Sequence, residues 1–314
     1  MENVICTDRR MLANIPESMK TPELCKIAVE NWGASLKYVP ESFKTPELCR
    51  LAVQRHSKAI LFVPEQLKTQ ELYRLSVEIY GWTLKFVPDS LKTPELCLVA
   101  VEIHGRALEY IPESMKTPEL CRIAVKNYGG ALEHIPDPLK TTELCRIAVK
   151  NHGSALEFVP ETLKTPELCL IATQNYEWAL LYVPESMKTE EICRIALKND
   201  GCILKYVPES LKTLELCRIA VKNLTGGPVG KNGRALEYVP ELLKTPKLCR
   251  IAVKDYGLAL AFVPESMKTP ELCRIAVKND GNALIYVPES LKKPELCRKA
   301  SRNNGHAHEF FWNR

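Results

Sequence analysis

The sequence has no apolar run that approaches the ~18 residues of a membrane-spanning helix. Its first ten residues lack the apolar core of a secretion signal. Period-two alternation of apolar and polar residues, which marks half-buried strands, is also absent. We therefore expect an all-helical chain that is soluble and located in the cytoplasm, with no membrane partner.

Charge of one sign is not in large excess. The 314 residues contain 43 Lys and Arg against 38 Asp and Glu, a formal net charge of +5. An excess this small does not by itself require a polyanionic partner. The distribution of charge along the chain therefore carries more information than its sum.

One motif, V-P-E-S-L-K-T-P-E-L-C-R-I-A-V-K-N, recurs along the chain with a 24-residue period. Its proline stands at Pro16, Pro40, Pro64, Pro88, Pro112, Pro136, Pro160, Pro184 and Pro208, then after a longer gap at Pro240, Pro264 and Pro288. A short unit repeated twelve times is typical of a stacked repeat array without one central core. We predict an N-terminal cap and partial repeat over residues 1–15, twelve tandem helical repeats over 16–303 with an insertion loop at 224–231, and a C-terminal half-repeat cap over 304–314.

Within a repeat, residues are numbered here from the threonine, so that Thr117 is position 1 and Lys140 is position 24. Thr-Pro-Glu is a helix start, and the glycine at position 13 is predicted to stop that helix. Apolar positions 15, 16 and 19 predict a second, shorter helix that ends before the next proline, and the remaining Pro-Glu-Ser-Leu-Lys predicts a tight turn. The predicted fold class is all-α: an α-solenoid of about twelve 24-residue helix–turn–helix repeats forming a curved superhelix.

The pattern L-x-x-V-P-x-x-L-K-T-x-E-L-C/A-x-x-A-V resembles a family of short α-helical repeats known only as a domain of unknown function, from bacterial and some viral proteins. The resemblance runs from about residue 12 to residue 305. It implies an all-helical repeat protein, with no established activity and no catalytic residues. Repeats of this sort are frequent in effector-like proteins, so the cytoplasm expected for this chain is that of the producing cell or that of a host.

Eleven of the thirteen cysteines occupy position 5 of their repeats. Equivalent residues of adjacent repeats lie ~9–10 Å apart, beyond the ~7 Å between Cα atoms that a disulfide allows. No second Cys or His recurs at metal-ligand spacing, and Tyr73 replaces Cys in the third repeat. We expect reduced cysteines that pack the core and no metal.

Two further features that suggest chemistry are weak. The insertion contains Gly227-Pro228-Val229-Gly230-Lys231, but Thr225 stands where a phosphate-binding loop needs its first glycine, and Asn232 follows the lysine. The six histidines occupy scattered positions that form no Ser-His-carboxylate arrangement. The sequence therefore predicts no catalytic residue and no cofactor, hence no enzyme.

Charges recur at fixed positions. Position 24 is always Lys and position 21 always acidic, a spacing we interpret as solvated ion-pair ladders. Positions 6 and 10 of the first helix form a second line, the basic track, which the first four repeats lack at position 10. It comprises Arg122, Lys126, Arg146, Lys150, Arg194, Lys198, Arg218, Lys222, Arg250, Lys254, Arg274 and Lys278. This track is either a solvated helix face or an anion-binding groove for nucleic acid or an acidic protein.

Positions 14 and 17 of the second helix differ between repeats whose other positions are nearly constant, and we call them the variable face. Because packing positions stay fixed in near-identical repeats, the variable face is predicted to be exposed. Its apolar members are candidate partner contacts, with neutral drift as the alternative: Trp82, Trp178, Leu181, Leu258 and Ile285.

These patterns favour a non-enzymatic scaffold that mediates protein–protein interaction along one face. An alternative is a nucleic-acid-binding repeat array that uses the basic track of the C-terminal two-thirds. A third is a structural protein that self-associates end to end, with Phe310, Phe311 and Trp312 at one end. The predicted partner is accordingly a protein, and nucleic acid or a second copy of the chain are the alternatives.

Overall fold

The computed structural model describes residues 11–222 and 232–303. The expectations for residues 1–10, for the insertion at 224–231 and for the C-terminal cap at 304–314 lie outside these ranges. Within the described ranges the chain is all-α and contains no strand. No helix there has the length and apolar character needed to cross a bilayer.

Each of repeats 1 to 11 contains one α-helix and two 3₁₀ helices, and the described part of repeat 12 contains an α-helix. After a short helix at Met11–Asn14, the α-helices of repeats 1 to 12 span Pro22–Asn31, Pro46–Arg55, Gln70–Ile79, Pro94–Ile103, Pro118–Asn127, Thr142–Asn151, Pro166–Asn175, Glu190–Asn199, Leu214–Lys222, Pro246–Asp255, Pro270–Asn279 and Pro294–Asn303. The long 3₁₀ helices span Gly33–Tyr38, Ser57–Phe62, Gly81–Phe86, Gly105–Tyr110, Gly129–His134, Gly153–Phe158, Glu177–Tyr182, Gly201–Tyr206, Asn232–Tyr238, Gly257–Phe262 and Gly281–Tyr286. The short 3₁₀ helices span Glu17–Met19, Glu41–Phe43, Glu65–Leu67, Asp89–Leu91, Glu113–Met115, Asp137–Leu139, Glu161–Leu163, Glu185–Met187, Glu209–Leu211, Glu241–Leu243, Glu265–Met267 and Glu289–Leu291.

The start of each α-helix follows from its threonine. The Oγ1 of Thr117, for example, accepts a hydrogen bond from the backbone N–H of Leu120 at 3.2 Å, which satisfies one of the free donors of the first turn. Proline then occupies the first helical position in most repeats, where its missing N–H costs nothing. The predicted helix start is confirmed.

The predicted role of the glycine at position 13 is wrong. The α-helix already ends at position 11, and the residue at position 12 is extended, as at Tyr128 with φ −150° and ψ 104°. The glycine instead begins the long 3₁₀ helix. The second helix of the repeat is therefore 3₁₀, and the predicted tight turn is the short 3₁₀ helix.

Close approach between repeats explains the glycine. A Cβ built on Gly201 would lie 2.0 Å from the carbonyl oxygen of Ala220, which is position 8 of the next repeat. Glycines at position 13 of six other repeats face the same alanine carbonyl at 2.2–2.6 Å: Gly33, Gly81, Gly105, Gly153, Gly233 and Gly257. A larger residue at this position therefore requires some local displacement.

Two repeats carry a larger residue at this position, Ser57 and Glu177. At both, the long 3₁₀ helix packs less closely on the next long 3₁₀ helix than it does at the glycine junctions. Ser57 is followed by a second change, since position 8 of the next repeat is Ser76, whose Oγ donates to the Ser57 carbonyl at 3.2 Å. A larger residue at position 13 is thus accompanied by looser packing between the long 3₁₀ helices of adjacent repeats.

The core is built from the same positions in repeats 1 to 11. Positions 4, 5, 8 and 9 of the α-helix and positions 15, 16 and 19 of the following segment are buried almost throughout. In repeat 5 these include Leu120, Cys121, Ala124, Ala131 and Leu132. Within each unit, consecutive α-helices pack on one another and on the long 3₁₀ helices of their own and the preceding repeat, so a repeat there does not bury its apolar surface alone.

The chain divides into two compact units, Met1–Asn151 and His152–Arg314. At some junctions within each unit, an asparagine at position 11 connects consecutive repeats. In the first unit Asn127 donates to the carbonyls of Val101 and Glu102 at 2.9 and 3.0 Å, and so caps the preceding α-helix. In the second unit Asn279 donates to the Lys254 carbonyl at 2.8 Å.

Candidate functional site

The lysines at position 24 are not the solvated ladder that their spacing predicts. Eight of them keep only 5–10% of their side-chain exposure: Lys44, Lys92, Lys140, Lys164, Lys188, Lys212, Lys244 and Lys268. Lys164 is the most enclosed of the eight. Its Nζ donates to Glu161 at 2.7 Å and to the Tyr182 carbonyl of the following repeat at 2.9 Å.

The second hydrogen bond joins one repeat to the next. The accepting carbonyl belongs to position 18, the last residue of the next long 3₁₀ helix. Lys92 makes the equivalent bond to the Tyr110 carbonyl at 2.6 Å, and Lys188 bonds to the Tyr206 carbonyl at 3.0 Å. The position-24 lysines that make this bond are therefore structural links between repeats.

The cysteines at position 5 are buried free thiols, as predicted, except that Cys297 in the last repeat is half-buried. Burial raises the pKa of Cys145 to about 11, although the nearby Lys140 opposes this shift. A neutral, enclosed thiol is a poor nucleophile and a poor metal ligand. Among the described residues, no group of three or more His, Cys, Asp or Glu is placed to hold a metal ion.

We expect Cys145→Ala to lower the free energy of unfolding by at most about 2 kcal/mol, since it leaves only a small cavity. Native Cys145 should also resist alkylation by iodoacetamide near pH 8, because a thiol with a pKa of about 11 is protonated there. Mass spectrometry with and without urea measures this directly. Fast alkylation of Cys145 in the native protein would contradict a packing role.

The basic track lies on the outer face of the α-helices, and its residues are exposed except for the half-buried Arg194. Several of its arginines have carboxylate partners. Arg122 pairs with Glu119 at 3.0 Å, and Arg250 reaches Glu271 of the next repeat at 2.8 Å. Arg194 pairs with Glu190. These carboxylates screen part of the positive charge that a nucleic acid would meet.

The variable face lies on the long 3₁₀ helices, and its two positions differ in exposure. Position 17 is exposed in all but one described repeat, with Leu61 at 49%, Leu181 at 39% and Ile285 at 49%. Position 14 is mostly half-buried: Trp82, Trp178 and Leu258 are not as exposed as the sequence predicts. The structure therefore places Leu181 and Ile285 at the surface. The other three predicted contacts, Trp82, Trp178 and Leu258, are half-buried.

Aromatic packing accounts for the half-buried tryptophans. Trp178 lies against Tyr206 of the next repeat, with ring centroids 6.0 Å apart. Trp82 packs edge-on against Phe86 at 5.5 Å and against Tyr110 at 6.1 Å. Both tryptophans of position 14 thus pack against the aromatic ring at position 18 of the following repeat. Where position 17 is a leucine or isoleucine, as at Leu181, that side chain lies nearer to solvent.

Polar groups lie beside the apolar side chains of the variable face. Burial, and then a hydrogen bond with Glu157, raise the pKa of Tyr182. Burial and Glu109 raise the pKa of Tyr110 in the same way. Both phenols therefore stay neutral at physiological pH and can donate or accept hydrogen bonds. Such a surface combines apolar anchors with neutral and charged polar groups.

One groove, of about 560 Å³, lies between the α-helices of repeats 2 and 3. Its charged side chains pair with one another: Arg74 with Glu78 at 2.7 Å and Arg50 with Glu71 at 3.9 Å. The groove contains no described histidine or cysteine. Its paired charges suit a solvated helix surface.

The repeated helical unit defines an all-α tandem-repeat protein. A family model described as a domain of unknown function (DUF4116) matches residues 21–68, 70–116, 117–164 and 165–212, so that each match covers about two of the repeats. The matched segments make up more than half of the chain, and the chain belongs to this family. The resemblance of the V-P-x-x-L-K-T-x-E-L-C signature is therefore confirmed. No curated protein matches the chain.

Proposed function

We propose that this chain is a non-enzymatic scaffold that binds a protein partner through the variable face. The observation that carries the proposal is the contrast between fixed and variable positions. Position 17 varies and lies at the surface of the long 3₁₀ helices, where several repeats present an apolar side chain: Leu61, Leu181 and Ile285. Side chains of this kind commonly anchor protein interfaces.

The alternative, nucleic-acid binding, depends on the basic track. The exposed lysines of position 10 favour it, but the paired arginines Arg122, Arg194 and Arg250 weaken the field that a phosphate backbone would meet. Repeat 7 also interrupts the track, because Leu170 and Gln174 stand at its positions 6 and 10. Binding of a protein partner is therefore the function that these features support best.

Two double variants separate these functions. The chain is immobilised, and protein and nucleic acid retained from the native host are identified separately. We expect Trp178→Ala with Leu181→Ala to weaken binding of the retained protein by about tenfold or more, because apolar anchors carry much of an interface's free energy. Arg274→Glu with Lys278→Glu, the matched change on the basic track, should leave that binding unchanged.

Salt dependence provides the second readout. A protein partner held by apolar anchors should bind similarly at low and physiological salt. If the retained ligand is nucleic acid, if its affinity falls steeply with salt and if only Arg274→Glu with Lys278→Glu abolishes binding, the scaffold proposal is wrong. Circular dichroism of both variants checks that each remains folded.

A further inference from the structure

The junction between repeats 2 and 3 differs from its neighbours in the first unit. Ser57 replaces the glycine of position 13, and the long 3₁₀ helices Ser57–Phe62 and Gly81–Phe86 pack less closely than those at the glycine junctions. A Cβ at this position has no room at the normal spacing, as the 2.2 Å approach at Gly33 shows. The variable face is therefore less closely packed at this junction.

Lysine and aromatic side chains lie close together at this junction. The Nζ of Lys58 lies 4.8 Å from the centroid of the Trp82 ring and 5.9 Å from that of Tyr80. On the 3₁₀ helix Gly81–Phe86, the Nζ of Lys85 lies 5.3 Å from the Trp82 centroid and 5.9 Å from that of Tyr110. Attraction between ammonium groups and aromatic rings holds both lysines over Trp82.

Neither lysine has an acidic partner. Within residues 11–222 and 232–303, no carboxylate oxygen lies within 4.0 Å of the Nζ of Lys58 or Lys85. By contrast, Arg106 on the next repeat pairs with Glu109 at 3.5 Å. Two ammonium groups held near one ring and left without counter-charge form a site for two acidic groups.

An apolar contact lies beside these charges. Leu61 lies on the same 3₁₀ helix as Lys58, one helical turn away, and is 49% exposed. The ring of Trp82 is itself half-buried, with Phe86 and Tyr110 packed at 84° and 88° to it and both lysines over it. The Trp82 ring is thus shared by two lysines and two other rings, which makes it a poor platform for a nucleobase and favours a peptide over single-stranded nucleic acid.

We propose that Lys58, Leu61, Trp82 and Lys85, the lysine–tryptophan cluster, bind an acidic protein segment that carries an aliphatic side chain. Its carboxylates accept hydrogen bonds from Lys58 and Lys85, and its aliphatic residue packs on Leu61. This inference rests on the proposed function, and it names the chemistry of the partner and the repeats that bind it.

A displayed library of random short peptides, selected on the full chain, tests the proposal. Enriched peptides are expected to combine Asp or Glu with Leu, Ile or Val. Their affinity should fall by about tenfold or more in Lys58→Glu with Lys85→Glu, because each reversal turns an attraction into a repulsion. Lys58→Gln with Lys85→Gln, which keeps most of each stem, should give a smaller loss in the same direction.

The matched control is Lys26→Glu with Lys126→Glu, which reverses two exposed lysines on the α-helix face of the same unit. This control should leave the affinity unchanged. Enrichment of neutral or basic peptides, or equal loss in both double glutamate variants, would overturn the proposal. Melting curves of all three variants verify folding.

A binding assay with single-stranded oligouridine shows whether only the acidic-segment proposal fails or the proposed scaffold function fails as well. If neutral peptides are enriched and Trp178→Ala with Leu181→Ala removes their binding, the acidic-segment proposal fails while the scaffold function stands. If no peptide is enriched and the RNA binds, with binding lost on Lys58→Glu and Lys85→Glu, both proposals fail.

Discussion

Lys164→Glu is expected to lower the free energy of unfolding by about 3–5 kcal/mol, the cost of leaving an uncompensated buried charge. The Lys164 side chain keeps only 5% of its exposure, and its Nζ donates to Glu161 and to the Tyr182 carbonyl. A carboxylate there would face two acceptors and no donor. Urea unfolding followed by circular dichroism measures the change.

Two further variants make this result interpretable. Lys254→Glu is the matched control, because Lys254 is exposed at position 10 of an α-helix in the same unit, and it should change stability by less than about 0.5 kcal/mol. Lys164→Met keeps the apolar stem and removes the donor, so its loss should be about 1–3 kcal/mol. Equal effects of Lys164→Glu and Lys254→Glu would mean that the position-24 lysines are the solvated ladder suggested by their spacing.

Gly201→Ala should cost about 2–3 kcal/mol of stability, at the upper end of what overpacking of an interior costs. Its new Cβ would lie 2.0 Å from the carbonyl oxygen of Ala220, and both groups are fixed in the backbone of adjacent repeats. The clash can be relieved only by separating the repeats. The open junctions at Ser57 and Glu177 show that separation is feasible, which limits the cost.

Gly130→Ala is the control for this steric argument. Its Cβ would lie 2.6 Å from the Cζ of Tyr128, the end of a side chain that can rotate away. Position 14 already accepts alanine in the first repeat, as Ala34. We expect a loss of less than about 1 kcal/mol, measured by the same thermal or urea unfolding. A loss at Gly130 as large as at Gly201 would locate the effect in lost glycine flexibility and not in contact between repeats.

Local features of the repeat are predictable from sequence, because they depend on residues close together in the chain. The threonine cap needs only the amide three residues later, and proline and glutamate reinforce it within the first turn. The order of two helices and one turn follows from apolar spacing within 24 residues. Cysteine burial likewise follows from its place on the apolar side of the α-helix.

Contacts between repeats are what the sequence does not reveal. Glu161 and Lys164, three residues apart, have the spacing of a surface ion pair, and only the Tyr182 carbonyl of the next repeat makes the lysine a buried link. The glycine at position 13 has the spacing of a helix stop, yet its partner is an alanine carbonyl nineteen residues later. Trp178 is variable and was therefore expected at the surface, but a neighbouring tyrosine covers part of it.

The amides at position 11 imply that coupling between neighbours is uneven along the first unit. Asn127 and Asn151 cap the α-helix of the preceding repeat, whereas Arg55, Ile79 and Ile103 stand at this position in repeats 2 to 4. In a linear array, where cooperativity arises from nearest-neighbour interfaces, the weaker links are where the stack separates first. Opening should therefore spread from the N-terminal repeats, and amide hydrogens there should exchange before those of repeats 5 and 6.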